Sequence, residues 1–234
     1  MVCNQSKTEF VVFDRNQRHQ ELSLSIGDVE VKSSNSIRIL GAIFQNDLRW
    51  SKQVNKAIAN ANSMFLPLKY IRRHLSPDQF KSAIFAHFIS CLMFASPVWG
   101  KAILSTEKHR IEVNMNRIVR LLTNQKLSNR EIYIKYGMRS FSSLCTIADS
   151  SMLYNLCTSL DMDPLSERLL SQSFISSRTP NRITFFDYSK TRVGKCSFVN
   201  RSKYISENIP FEWINLSVSS FTRQLKTRTP LFIQ

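Results

Sequence analysis

The chain has 234 residues, enough for one large or two small domains with an ample core. Its 43% hydrophobic content excludes wholesale disorder, and only 5 Gly and 7 Pro exclude collagen-like, linker and low-complexity classes. Lys and Arg total 32 against 17 Asp and Glu, a net charge of +15 that favours a polyanionic partner.

The charge is unevenly placed. Residues 1–50 hold 6 basic and 6 acidic side chains, residues 51–140 hold 15 and 4, and residues 141–234 hold 11 and 7. A block as positive as the middle one gains by displacing counterions from phosphates, with a merely solvated basic surface as the plain alternative. Five Cys (3, 91, 145, 157 and 196) include no C-x-x-C pair. That speaks against a disulfide framework or zinc ribbon and for a reducing compartment. No basic-then-apolar leader opens the sequence, so the expected location is intracellular, nuclear or cytoplasmic, and not secreted.

The elements expected in chain order make an α+β protein. Glu9–Phe13 is a short β-branched and aromatic run that reads as a buried strand. Leu22, Leu24 and Ile26 alternate with polar residues before Gly27-Asp28 and Val29–Val31, a hairpin signal. Ile37 to Phe44 is a further apolar run, broken at Gly41 by a residue that permits a bulge or a close backbone approach. From residue 51 the period becomes helical. Ser51 can cap a helix carrying Val54, Ile58, Ala61 and Phe65. Ser76-Pro77-Asp78-Gln79 combines a capping Ser, Pro in the first turn and Gln at the third position. The helix it opens carries Phe80, Ile84, Phe88 and Cys91 towards Pro97.

A helix near 106–123 places Ile111, Met115, Ile118 and Leu122 on one face and Arg110, Arg117 and Arg120 on another. Ser128-Asn129-Arg130-Glu131 is a second capping box, and a further helix spans roughly 142–160. Residues 178–203 form an irregular basic segment, and Phe211 to Leu225 reads as a closing helix. There is no internal repeat. Between Lys81 and Lys101 lie 19 uncharged residues, close to the ~20 that span a bilayer, but His87, Ser and Pro interrupt the apolar ones. A buried core helix is the better reading, and a helical interaction or membrane-associated protein is the alternative it leaves.

The order of these features resembles the C-terminal part of a non-LTR (LINE-type, jockey-like) retrotransposon reverse transcriptase. Asn4-Gln-Ser-Lys7-Thr8-Glu9 is similar to the Asn-x-x-Lys-Thr-Glu segment that leads into a palm strand. Ile39-Leu40-Gly41 followed by Asp47-Leu48-Arg49-Trp50 resembles the Leu-Gly…Leu-x-Trp pattern of the primer-grip hairpin and thumb start. Pro97-Val98-Trp99-Gly100 matches the end of a thumb-region helix, without the Tyr-Gly that usually precedes it. Ile209-Pro210 and Ser220-Phe221…Leu225-Lys226 echo the tail, although Glu207-Asn208-Ile209-Pro210 lacks its Trp and Arg223 or Lys226 only approximates its Lys.

The resemblance implies a palm-end β segment in 1–50, a helical thumb-like domain in 51–125 and a mainly helical C-terminal region in 126–234. It implies an RNA-directed DNA polymerase as parent. The parent's metal-binding aspartates and its apurinic-type endonuclease would lie upstream of residue 4, and no Asp-Asp pair occurs in the chain. A C-terminal Cys-Cys-His-Cys knuckle is absent too. The expected function is therefore non-catalytic, non-specific binding of primer–template, an RNA–DNA hybrid or other nucleic acid, with no cofactor or metal. The alternative is a part that completes an active polymerase with a separately supplied palm and fingers.

Particular residues follow from that. Lys7 resembles a palm lysine near the leaving pyrophosphate; without the carboxylates it reads as a solvated lysine or a nucleic-acid contact. Gly41, between Leu40 and Ala42, resembles the primer grip, where a bare backbone lets a strand approach. Lys52, Lys56, Lys69, Arg72 and Arg73, with Arg110, Arg117 and Arg120, would line a thumb surface that tracks phosphates without reading sequence. Trp50 is either a stacking ring or, more commonly, core. His74, His87 and His109 lack ligand spacing, and Asp161-Met162-Asp163 reads as a loop or cap. Cys91, Cys145 and Cys157 read as small core residues. Strand edges at Phe10, Val12, Ile39 and Ile43 would need cover, leaving 1–50 poorly protected alone.

Overall fold

Four short strands open the described chain in the computed structural model, as two separate antiparallel hairpins. The structure describes residues 8–13, 22–27, 29–158, 167, 173–175, 183–185, 192–207, 209, 213 and 216–228. Its contacts divide the chain into two compact units, residues 1–57 and 58–234.

In the first unit, β1 (Ser23–Ile26) pairs with β2 (Val29–Lys32) across a two-residue turn. Gly27 takes the positive φ of 61° that this turn demands, as the Gly-Asp signal implied. The apolar run from Ile37 is not one bulged strand. It folds back as β3 (Ser36–Ile39) and β4 (Ala42–Gln45), with Ile37 opposite Phe44 and Ile39 opposite Ala42. Leu40 and Gly41 both have positive φ (47° and 91°), the mark of a type I′ turn whose twist matches that of the strands. Glu9–Phe13, expected as a buried strand, carries no regular structure. Ser34 N–H donates to Phe10 O at 2.9 Å, but one bond does not make a ladder, and Phe13 is exposed. Ile39 is exposed, whereas Phe10, Val12 and Ile43 are half-buried.

α1 (Ser51–Ser63) starts at Ser51 and does not use it as cap. Trp50 O accepts from Val54 N–H, and Gln45 Oε1 reaches over from β4 to take Lys52 N–H at 2.8 Å and Ser51 Oγ at 3.1 Å. A side chain from the preceding strand thus satisfies donors that the helix itself cannot. Val54, Ile58, Ala61 and Phe65 are buried, as the spacing predicts. Phe65 belongs to a new helix, α2 (Phe65–Ile71), followed by a 3₁₀ turn Arg72–His74.

α3 (Pro77–Ile84) carries the complete capping box: Ser76 Oγ accepts from Gln79 N–H, and Gln79 Oε1 from Ser76 N–H. It runs into a π-turn, Phe85–Ile89, and α4 (Ser90–Met93). The π-turn shifts the stripe by widening one turn, so Phe80, Ile84, Phe88 and Leu92 are buried at four-residue spacing. Cys91 is displaced from that stripe and is half-exposed, its thiol donating to His87 O at 3.1 Å. Ala95, at φ 53°, breaks the chain direction before α5 (Ser96–Trp99). The long uncharged stretch is therefore several short helical pieces, and among the described residues no helix is long and apolar enough to cross a membrane.

α6 (Ser105–Val119) and its 3₁₀ extension Arg120–Leu122 bury Ile111, Met115, Ile118 and Leu122. α7 (Asn129–Lys135) opens on the Ser128–Glu131 capping box, and α8 is Phe141–Thr158. Beyond it the structure describes the hairpin β5 (Ser173–Ile175) with β6 (Ile183–Phe185), then α9 (Arg192–Lys195), α10 (Phe198–Glu207) and α11 (Val218–Arg228). The closing helix starts later than its apolar pattern suggests, because Ser217 Oγ accepts from Ser220 N–H and caps it there. Within 178–203, expected as an irregular basic segment, the described residues are mainly β6, α9 and the first part of α10, so that stretch is largely regular; the rest of the segment and Asp161-Met162-Asp163 lie outside the described residues.

The second unit's core is aromatic-rich: Phe80, Phe88, Trp99, Tyr133, Phe141 and Phe221 are almost fully buried, each such side chain contributing about 1.5–3 kcal/mol. Trp99 stacks on Phe141 at 5.9 Å, and Tyr154 on Phe221 at 4.2 Å. Gly100 is required where α5 meets α8: a Cβ there would lie 2.7 Å from Cys145 Sγ and 2.9 Å from Ser96 O.

Candidate nucleic-acid interface

The expected contact residues fall in both units, and Lys7 lies outside the described residues. In the first unit, Lys52 Nζ donates to Ser36 Oγ at 2.8 Å and Lys56 Nζ to Gly41 O at 2.6 Å. Gln53 Oε1 accepts from Ile43 N–H at 3.0 Å, so three side chains of α1 hold the β3–β4 hairpin. The two lysines and Gly41 are brought together, but as a staple, with both ammonium groups engaged by protein oxygens. Trp50 packs its ring edge-on against Phe44 at 5.2 Å, a packing role and not that of a bare stacking face.

In the second unit the cations divide by what they touch. Arg72, half-buried, donates through Nε to Leu121 O and through Nη2 to Asn124 Oδ1 at 2.6 Å, tying the end of α2 to the end of α6. Arg120 donates to Asn129 Oδ1 at 2.9 Å, at the start of α7. Arg117 lays its guanidinium over the Phe65 ring at 3.9 Å while remaining exposed. Lys69 and Arg73 project outward from α2 and its 3₁₀ turn, and Arg73 Nε donates to His74 Nε2 at 3.1 Å. Among the described residues no carboxylate pairs with Lys69 or Arg73. Arg110, two turns before Arg117 on the same face of α6, is exposed as well.

From Phe65 to His74, α2 and its 3₁₀ turn carry Lys69, Arg72 and Arg73 and no acidic residue, so this face meets no intrinsic counter-charge along its own helical segment. Sequence reasoning listed the cations here and missed two neighbours, Leu66 and Tyr70, which leave 61% and 69% of their surface in water. The signal was present: both sit one turn apart, opposite the buried Leu68.

A second polar constellation is buried and was not foreseen. Asp149 of α8 receives two parallel hydrogen bonds from Arg201 of α10, which also donates to Pro97 O at 2.7 Å and to Cys196 O. Burial pushes the Asp149 carboxyl up, and the Arg201 hydrogen bonds pull against that. Lys101 Nζ donates to Ser142 O and Thr146 Oγ1, and burial draws it down from the usual lysine range. Cys145 beside it is pushed up to about 12 by burial, so it stays a thiol and not a nucleophilic thiolate. These groups join α5, α8 and α10; they are a buried clasp with no exposed reacting atom. Among the described residues no group of three or more His, Cys, Asp and Glu is placed to hold a metal ion.

No protein-family model matches the chain, nor does any curated protein or any solved structure.

Proposed function

We propose that the chain is related to the C-terminal part of non-LTR retrotransposon reverse transcriptases and binds primer–template nucleic acid without reading its sequence. Nucleotidyl transfer is not part of this reading, because no Asp-Asp pair stands among the 234 residues to hold paired divalent ions. The observation that carries it is the outward pair Lys69 and Arg73, with which no carboxylate pairs among the described residues; Arg110 and Arg117 of α6 are exposed too. Such cations gain by releasing condensed counterions, and they position a backbone while leaving base edges unread.

The test is binding of the full chain to a labelled RNA–DNA hybrid across a salt series. Four phosphate contacts give a slope of log affinity against log salt of roughly −3 to −4. Replacing Arg110 and Arg117 by Ala is expected to remove about half of it. A flat salt response, or a slope untouched by those substitutions, refutes the reading and leaves the net charge as a solvated surface.

A further inference from the structure

A duplex offers phosphates to a basic face but hides the flat surfaces of its bases, so an exposed aromatic ring on such a face has no work to do against paired strands. Tyr70 is that ring. It is 69% exposed on the same side of α2 as Lys69, Arg73 and Leu66, positions that follow one another at helical spacing. The other side of α2 is held: Phe65 and Leu68 are buried, Arg117 covers the Phe65 ring, and Arg72 of the following 3₁₀ turn binds Leu121 O and Asn124 Oδ1. A helix anchored on its inner side thus presents one exposed aromatic between two outward cations.

We infer that this face is a stacking platform for an unpaired nucleic-acid strand, with Tyr70 stacking on a base and Lys69 and Arg73 holding the flanking phosphates. Base–aromatic stacking tolerates any sequence, since every base has a π-face, and it combines with a basic groove in proteins that hold single strands. Leu66, one turn earlier, extends the apolar strip along which the next base can lie. The chemistry argues against other occupants. A second copy would bring an identical basic face and be repelled. A seven-residue helix is short, and even with Leu66, Pro67, Tyr70 and Ile71 exposed it has little apolar area to sink into a lipid surface. The inference rests on the nucleic-acid reading above and specifies its ligand: single-stranded tracts or overhangs beside the duplex.

The experiment compares the full chain with Tyr70→Ala, Tyr70→Phe and the Lys69→Ala/Arg73→Ala pair, on an oligothymidylate strand and a blunt RNA–DNA hybrid of equal length. Tyr70→Ala is expected to weaken strand binding about 5- to 100-fold while leaving the blunt hybrid unchanged. Tyr70→Phe keeps the π-face and should bind the strand as the parent does. The lysine–arginine pair should lower the salt slope for the strand by roughly one to two. Unchanged strand affinity in Tyr70→Ala, an equal loss on both ligands, or a Tyr70→Phe as weak as the alanine variant overturns the platform. Tyr70-dependent strand binding with no hybrid binding would instead sink the duplex reading and leave the platform standing. If neither ligand binds, or only anionic lipid vesicles do, both are overturned.

Discussion

Arg201 and Asp149 meet through two parallel contacts, Nε to Oδ2 at 3.1 Å and Nη2 to Oδ1 at 3.0 Å, with the Asp149 side chain only 1% exposed. The pair closes α10 over α8, and the remaining Arg201 hydrogens reach the backbone at Pro97 and Cys196. Two desolvated charges gain little net stability together, yet each is costly without the other.

Removing one partner should therefore hurt more than removing both. Arg201→Met alone leaves Asp149 buried and unpaired, an expected loss of about 3–5 kcal/mol. Adding Asp149→Leu to that variant should recover part of it. Urea unfolding of the two single variants and the double variant measures the coupling; additive losses would mean that the pair does not act as a unit.

The hairpin tip offers an opposite case, a local fault that one substitution should repair. Leu40 sits at φ 47° and is 95% exposed, so it bears the cost of a left-handed conformation and contributes no packing. Asn tolerates that conformation and, before Gly41, gives the favoured type I′ pair. Leu40→Asn is expected to stabilise the β3–β4 hairpin by about 1 kcal/mol, seen as slower amide exchange at Ala42–Gln45. Unchanged exchange would show that Lys56 and Gln53 already hold the hairpin fully closed.

These two cases show where the sequence was readable. The capping boxes at Ser76 and Ser128 and the buried stripe of α6 are local patterns, and the structure has them where the spacing puts them. At Gly41 the residues alone pointed to a bulge or a close backbone approach, and only the resemblance implied a hairpin, because Leu40 is an unusual residue at a positive φ. Cys91 was misplaced because a π-turn is not visible in a 3.6-residue period. Arg72 and Arg73 are adjacent and chemically identical, yet one is an anchor and the other points to water. Only Leu121 and Asn124, distant in sequence, decide which. The Arg201–Asp149 clasp was invisible for the same reason.

Glu112 supplies a pH test. Its Oε1 accepts from Phe141 N–H at 2.8 Å, capping the first turn of α8, and burial holds its carboxyl above the ordinary carboxylate range despite that bond and Lys108. A folded pKa above the unfolded one means that the native state binds more protons. The contribution to stability is then full below the unfolded carboxylate pKa and is lost as pH rises through the raised folded value. Glu112→Gln keeps an oxygen for Phe141 N–H and carries no charge. It should gain stability over the parent at neutral pH and lose that advantage below the ordinary carboxylate range, read from thermal midpoints against pH. A variant less stable than the parent at neutral pH would show that the ionised cap outweighs its desolvation.

The division between anchoring and outward cations makes the last prediction, because it separates stability from binding within one helix end. Arg72→Ala removes charge-assisted bonds to Leu121 O and Asn124 Oδ1 and should cost about 1.5–3 kcal/mol of stability. Its effect on the salt slope of hybrid binding should be small wherever the protein remains folded. Lys69→Ala with Arg73→Ala removes groups facing water and should change stability by no more than about 0.5 kcal/mol. That pair should nevertheless lower the slope by roughly one to two, one increment per lost phosphate contact. Unfolding and salt titration on the same two proteins give both readouts. If Arg72→Ala flattened the slope and left stability intact, the guanidinium would be a nucleic-acid contact and the carbonyl at Leu121 an incidental neighbour.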